Sequence, residues 1–250
     1  MVLLALGDLA YAQAVPLPRP RPVQAAVAAA PDASRPIEPP PPSACRLRLT
    51  IALAIAPSAE PPVANGECGI EDAVRLEAVV LPDKSRVAVT PPALVRCTFA
   101  EAIVRWVREE VAPAVRTLDT TLKGVDNYAA YDCRGRNRIV GAKLSEHGKG
   151  NALDIRSFKL ANGTTLGLTD PHAAKDFREG MRKSACARFS TVLGPGSDGY
   201  HENHVHVDLM ERRSGYGSMC QWDVREPGAE PEAAAHVPLP RPRPTAAARQ

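Results

Sequence analysis

The sequence lacks the features that mark several common classes of protein. A net charge of +3 across 250 residues is too small to indicate nucleic acid as a partner. No stretch is long and apolar enough to cross a lipid bilayer, so no integral membrane segment is predicted. The six cysteines include no Cys-x-x-Cys pair, which argues against a structural zinc site built from cysteine thiolates. Function therefore has to be sought in other side chains.

Proline is scarce in the middle of the chain and abundant at both ends. Of the 25 prolines, ten fall in residues 1–44 and six in residues 225–250. The octapeptide Val15–Pro22 recurs unchanged as Val237–Pro244, and alternating proline favours an extended polyproline II backbone. We therefore predict proline-rich disordered arms at 15–44 and 225–250 around one folded domain at 45–224. Each arm is either a stiff solvated spacer or a docking segment for a binding partner, through an aromatic groove or through its arginines.

The N-terminal segment and the cysteines together predict export from the cytoplasm. Residues 1–14 resemble a signal segment, because Met1–Leu6 is apolar and Ala12-Gln13-Ala14 suits cleavage, although a basic start is missing. The six cysteines are Cys45, Cys68, Cys97, Cys133, Cys186 and Cys220. Their scatter suits up to three disulfides in an oxidising compartment, such as a bacterial periplasm or the exterior, with about 15 possible pairings. Six buried thiols in a cytosolic enzyme are the alternative.

Hydrophobic periodicity predicts an α+β domain. An apolar stripe at helical spacing, which contains Trp106, predicts a core-facing helix with a kink at Pro113. A capping box formed by Thr98 and Glu101 is expected to begin this helix, and Asp170-Pro171 to begin a second one. Alternating segments predict strands at Cys45–Ile55, Val74–Val80, Leu153–Leu160 with a turn at Asn162-Gly163, and Asn203–Met210. We expect one domain with a central, mainly antiparallel sheet and flanking helices.

Four of the six histidines fall in two short clusters. The first holds His147 and Asp154, and glycines between them let a loop carry the histidine back over the strand that bears the aspartate. The second holds His204-x-His206, whose side chains share one face of a strand. Imidazole and carboxylate are the ligands of catalytic zinc sites that keep one position open. The alternative is that ordinary hydrogen bonds satisfy each histidine.

The paired motifs resemble a known group of enzymes. His147-x-x-Gly150-x-Ala152-x-Asp154 with His204-x-His206 is similar to the signature of the LAS metallopeptidases, which include lysostaphin-type and D-alanyl-D-alanine peptidases. The wider run from about Cys68 to Val224 resembles the bacterial extensin-like C-terminal domain. Its motifs are Tyr131-Asp132-Cys133-Arg134, Ser145-Glu146-His147 and Cys186–Leu193. The resemblance implies a LAS/hedgehog-like metallopeptidase fold.

The resemblance also implies a role for each site residue. His147, Asp154 and His206 match the three zinc ligands, and His204 matches the catalytic histidine. The dipeptidase branch has a glutamate where this chain has Asn203, and the pattern with His201 is more similar to penicillin-insensitive murein endopeptidases.

Two further residues are weaker candidates. Glu202 lies one position from the usual glutamate and is a reserve base. Arg134 is a candidate cation for the oxyanion, the alternative being an ordinary surface arginine.

These implications converge on a cell-wall function. We expect a secreted zinc peptidase that acts on peptidoglycan peptides, in the manner of a murein DD-endopeptidase. A D-Ala-D-Ala carboxypeptidase is a second enzymatic possibility. The competing class is a non-catalytic, zinc-containing wall-binding protein, which would have no need of His204.

Overall fold

A computed structural model describes residues 41–59, 64–213, 215 and 217–228. The signal-like segment at 1–14 and most of both proline-rich arms lie outside the described residues. The described part of the chain consists of a β-sheet and several helices, as the sequence predicts. The β-strands are β1 (Ala54–Ile55), β2 (Ala64–Asn65), β3 (Cys68–Gly69), β4 (Ala73–Val80), β5 (Arg86–Arg96), β6 (Leu122–Ala129), β7 (Ala152–Leu160), β8 (Thr165–Gly167), β9 (Thr191–Leu193), β10 (Val205–Asp208) and β11 (Met219–Gln221).

The central sheet is mixed, with antiparallel pairs predominating. Its order is β1-β4-β5-β6-β7-β10-β9-β11, and β8 pairs with the second half of β7. The parallel pairs are β5 with β6 and β9 with β11, while β2 and β3 form a separate two-stranded sheet. The predicted strands at 74–80 and 153–160, and the turn at Asn162-Gly163, are confirmed.

The helices are α1 (Ala44–Arg48), α2 (Cys97–Trp106), α3 (Ala112–Arg116) and α4 (Lys175–Arg188). The crossover from β5 to the parallel strand β6 runs through α2 and α3, which contact the sheet. Trp106 is 1% exposed, as predicted for a core residue, and its indole N–H donates to Ser184 Oγ at 2.9 Å. Its ring packs edge-on against Phe189 with centroids 5.7 Å apart, which ties the crossover to α4 and β9.

The helix boundaries differ from the predicted ones. Helix α2 begins after Arg96 without a side-chain cap, and Glu101 binds Arg48 and Arg105 instead of capping the helix. A π-helical segment, Val107–Val111, lies immediately before Pro113, which has no N–H to donate within the helix. Helix α4 begins at Lys175, because Asp170 caps a preceding turn by accepting from His172 N.

The predicted strand at Cys45 is wrong, because this segment begins with a helix. Ser43 Oγ accepts from Arg46 N at the start of α1, and only the two residues of β1 are extended. In α1 and its C-cap, the buried positions are Cys45 and Leu49, four residues apart, whereas Leu47 is 64% exposed and Ile51 is 89% exposed. Burial at that spacing is helical, so the alternation of apolar residues in the sequence was misleading.

The prediction of up to three disulfides is confirmed. The pairs are Cys45–Cys97, Cys68–Cys133 and Cys186–Cys220, and no described cysteine is a free thiol. The first joins α1 to α2, and the third joins α4 to β11. Among the helices described, none has both the length and the apolar character needed to cross a membrane.

Candidate metal centre

Two neighbouring strands and one turn bring three of the predicted residues together. Asp154 lies on β7 and His206 on β10, and the antiparallel register places these two residues directly opposite each other. Directly opposed side chains project from the same face of a sheet. His147 lies on a short 3₁₀ turn, Glu146–Lys149, that precedes β7. The strand pairing therefore positions two of the three side chains, and the turn positions the third.

The turn that carries His147 is held by capping and close packing. Ser145 Oγ accepts from His147 N, and Gly150 ends the turn in the left-handed conformation at φ 61°. A Cβ at Gly150 would lie 2.7 Å from the Ile70 side chain, so both the conformation and the contact require glycine. This confirms the expectation that a glycine turn returns the histidine to the strand that bears Asp154.

Three side-chain atoms meet at the centre of this arrangement. His206 Nδ1 lies 2.8 Å from Asp154 Oδ1, and His147 Nε2 lies 3.2 Å from the same oxygen. The two imidazole nitrogens are 3.1 Å apart. All three residues are buried, with exposed fractions of 1% for His147, 3% for Asp154 and 6% for His206.

The outer hydrogen bonds determine which ring nitrogens carry protons. His147 Nδ1 donates to the carbonyl of Ala130 at 2.5 Å, and His206 Nε2 donates to Asp208 Oδ2 at 3.1 Å. Each neutral imidazole has one N–H, so both nitrogens that face Asp154 are lone-pair acceptors. Two lone pairs and a carboxylate oxygen then meet in a buried space and need a cation between them. Two imidazoles and a carboxylate fit a zinc ion, and outer partners of this kind orient zinc-binding histidines.

The pKa values of the same groups show how strongly this space favours positive charge. Burial alone would lower the pKa of His206, but hydrogen bonds to Asp154 and Asp208 raise it to about 9. Burial alone would raise the pKa of Asp154, but interactions with His147 and His206 hold it far below its usual range. The carboxylates of Asp154 and Asp208 therefore favour positive charge in this space.

His204 lies beside these three residues and is held as a neutral base. Its Nδ1 donates to Asn203 Oδ1 at 2.8 Å, which leaves the lone pair on Nε2, and that atom is 3.6 Å from Asp154 Oδ2. Burial is the main cause that lowers the pKa of His204, to about 4, and it outweighs the attraction of Asp154. The ring of Tyr128 packs against the His204 ring with centroids 4.8 Å apart. His204 is therefore oriented to accept a proton close to the three converging atoms.

The comparison with protein families supports the wider resemblance. A family model for the C-terminus of extensin-like proteins matches residues 43–221, which is 179 of the 250 residues. The chain belongs to the extensin-like C-terminal family. No curated protein and no solved structure matches the chain.

In this extensin-like domain, the three converging residues line a cavity of about 720 Å³. Six of the seven predicted site residues line it, namely His147, Asp154, His206, His204, His201 and Arg134. His201 is buried, and its Nδ1 lies 2.6 Å from Asp198 Oδ1. Burial would raise the pKa of Asp198, but the hydrogen bond with His201 and others lower it, so the carboxylate is ionised.

The last two predicted residues have partners of their own. Arg134 Nε donates to Asp132 Oδ2 at 2.9 Å, so this guanidinium reaches the cavity already paired. Glu202 does not line the cavity, because its carboxylate binds Arg225 Nη1 at 2.7 Å and accepts from Gly196 N at 3.0 Å. The structure therefore separates Glu202 from the residues around the three converging atoms.

Three partners in the extensin-like domain were not identified as site residues from the sequence. Asp208 and the Ala130 carbonyl fix the rings of His206 and His147, and Asn203 fixes that of His204. The His-x-Asp spacing at 206–208 was a signal for Asp208, since alternate residues of a strand share a face. The carbonyl of Ala130 has no sequence signal, because it depends on how two distant segments pack.

Proposed function

We propose that this extensin-like domain is a zinc-dependent peptidase, exported from the cytoplasm, that cleaves the peptide part of peptidoglycan as a DD-endopeptidase. The observation that carries the proposal is the convergence of His147 Nε2, His206 Nδ1 and Asp154 Oδ1 in a buried space beside the neutral His204. A purely structural three-residue site has no use for a fourth, oriented histidine.

The order of the ligands supports a LAS-type fold and chemistry. His-x6-Asp precedes His-x-His in the chain, and the two motifs lie on a turn with β7 and on the antiparallel strand β10. This arrangement matches what the resemblance to LAS metallopeptidases implies for residues 147, 154 and 206. Three disulfides suit a protein that works in an oxidising compartment, such as a bacterial periplasm.

Each side chain of the cavity has a distinct role in amide hydrolysis. His147, Asp154 and His206 would hold the zinc ion, which would supply a Lewis acid for activating a water molecule and polarising the amide carbonyl. His204 Nε2 accepts a proton from the attacking water and delivers it to the leaving amine. Asn203 keeps this nitrogen free of a proton beforehand. Arg134 lines the same cavity and contributes positive charge where the carbonyl oxygen becomes negative.

The test separates metal binding from proton transfer. His206→Ala removes a ligand and should empty the site of zinc, whereas His204→Ala should keep the zinc. Both variants should lose turnover, the second by roughly 10²–10⁴-fold, because that is the usual contribution of an acid/base residue. The matched control is His172→Ala, which changes an exposed histidine outside the cavity. Zinc content and mass spectrometry of digested muropeptides measure the two properties in parallel.

Three outcomes decide between the candidate functions. Cleavage of crosslinked muropeptides supports the DD-endopeptidase, and release of terminal D-alanine alone identifies a carboxypeptidase instead. Full zinc occupancy with no product from any muropeptide refutes the peptidase and supports a wall-binding protein. Equal zinc content in wild type and His206→Ala would refute the ligand assignment.

A further inference from the structure

The carboxylates that line the cavity are all engaged by groups of this chain. Asp154 and Asp208 bind the two ligand histidines. Glu146 accepts from Lys149 and Asn151. Asp198 is bound by His201, by Tyr200 N and by Asn137. None of these four carboxylates is within ion-pair distance of an arginine in the described part of the chain.

By contrast, two of the four arginines that line the cavity have no carboxylate partner among the described residues. The four are Arg134, Arg136, Arg138 and Arg212. Arg134 and Arg138 share one carboxylate, that of Asp132. Arg136 and Arg212 have no carboxylate partner among the described residues. These four guanidinium groups therefore have the single carboxylate of Asp132 as their ion-pair partner in the described part of the chain.

The two unbalanced arginines lie close to the ligand strand and touch only neutral groups. Arg136 Nη2 lies 3.1 Å from Met210 Sδ, and a thioether is a weak acceptor that neutralises no charge. Arg212 is half-buried, and it donates to the Ser190 carbonyl at 3.2 Å and to Thr191 Oγ1 at 2.8 Å. Met210 and Arg212 follow β10 directly, so both guanidinium groups are held near the end of the strand that bears His206.

Arg212 is half-buried, and a partly desolvated cation without a counter-ion is unfavourable unless a ligand supplies the opposite charge. The planar guanidinium fits a carboxylate with two parallel hydrogen bonds, and such charge-assisted bonds are about twice as strong as neutral ones. We propose that Arg136 and Arg212 form a subsite for a free carboxylate of the ligand, next to the amide bond that is cleaved. This inference rests on the proposed function for the position of the amide, and it restricts the substrates to acidic peptides.

The test compares one peptide with and without its terminal charge. The probes are diacetyl-L-lysyl-D-alanyl-D-alanine and its C-terminal amide, and calorimetry measures their binding to the full-length, zinc-loaded His204→Ala protein, which does not hydrolyse them. Amidation should weaken binding by about tenfold or more, because a hydrogen bond to a charged group contributes about 1.5–3 kcal/mol and 1.4 kcal/mol is tenfold.

Variants in the same background assign this preference to the two arginines. Arg136→Gln should reduce the ratio of acid to amide affinity at least threefold, and Arg136→Gln with Arg212→Gln should bring it close to one. Arg213→Gln is the matched control, because it removes the same charge from an exposed neighbour that does not line the cavity. Arg136 is exposed and its side chain contacts no buried group, so its substitution tests the subsite even where the Arg212 variant fails to fold.

The outcomes for the subsite and for the peptidase are distinguishable. An acid-to-amide ratio near one in the background protein, or a ratio that Arg136→Gln does not change, overturns the subsite. Efficient cleavage of acid and amide alike by the wild type also overturns it while supporting the peptidase. Preferential binding of the acid without cleavage of any peptide by the wild type supports the subsite and refutes the peptidase.

Discussion

Asp208 should control the zinc affinity of the site although it is not a ligand. Its Oδ2 accepts from His206 Nε2 at 3.1 Å, and its Oδ1 accepts from Met210 N at 2.9 Å, so the carboxylate is fixed at both ends. Burial would raise the pKa of Asp208, but the hydrogen bond from His206 lowers it, so the group is ionised. An ionised partner orients the ring and makes the opposite nitrogen, Nδ1, a stronger ligand.

The expected loss of zinc affinity depends on which interactions of Asp208 each substitution removes. Loss of such an outer partner costs 10–100-fold in metal affinity, which corresponds to about 1.4–2.7 kcal/mol. Asp208→Asn keeps an oxygen that can accept from Nε2 but removes the negative charge, so we expect about tenfold. Asp208→Ala also removes the acceptor and exposes Met210 N to an empty space, so we expect a loss near 100-fold.

The assay is competition for zinc with a chelator of known affinity, followed by metal analysis of the protein. The matched control is Asp198→Asn, which changes a carboxylate that binds a buried histidine of the same cavity, His201, outside the three proposed zinc ligands. This control should leave zinc affinity unchanged. Wild-type affinity in Asp208→Ala, or an equal loss in Asp198→Asn, would show that the tautomer argument for His206 is wrong.

The sequence was sufficient to predict several strands of the sheet and the proximity of His147, Asp154 and His206. The two-residue spacing of His204 and His206 was enough to predict that both side chains lie on the side of Asp154. The register sets His206 opposite Asp154, and a slip of β10 by one residue would turn His206 to the other face of the sheet.

The segment at Cys45 shows how distant contacts override a local pattern. Arg46 binds the Asp72 carboxylate at 2.9 Å and the Ala73 carbonyl at 2.6 Å, while Cys45 bonds to Cys97. These partners are 26 or more positions away, so no local periodicity contains them. The predicted capping box of α2 fails for the same reason, because Arg48 recruits Glu101 from 53 positions away.

The hydrogen-bond partners of the proposed zinc ligands could not be predicted from the sequence where they depend on packing between loops. Ala130 offers its carbonyl to His147 only because the end of β6 runs beside Asp154, and that pairing contains register shifts. Arg136 and Arg212 reach one cavity from loops 76 positions apart, and neither loop carries a motif. An arginine without a carboxylate partner can be recognised only after the fold shows which carboxylates lie near it.

Three further predictions concern stability. Replacing Cys45 and Cys97 together by Ser should cost about 4 kcal/mol of unfolding free energy, from the entropy of the loop of 52 residues that they close. Trp106→Ala should cost about 3–5 kcal/mol in denaturant unfolding, because the side chain is 1% exposed and contacts Phe158 and Phe189. Removing residues 1–40 and 229–250 should leave the thermal transition unchanged, because the sheet, its helices and all three disulfides lie within 41–228. A truncated protein that loses its cooperative transition while full-length protein keeps it would mean that an arm packs onto this domain.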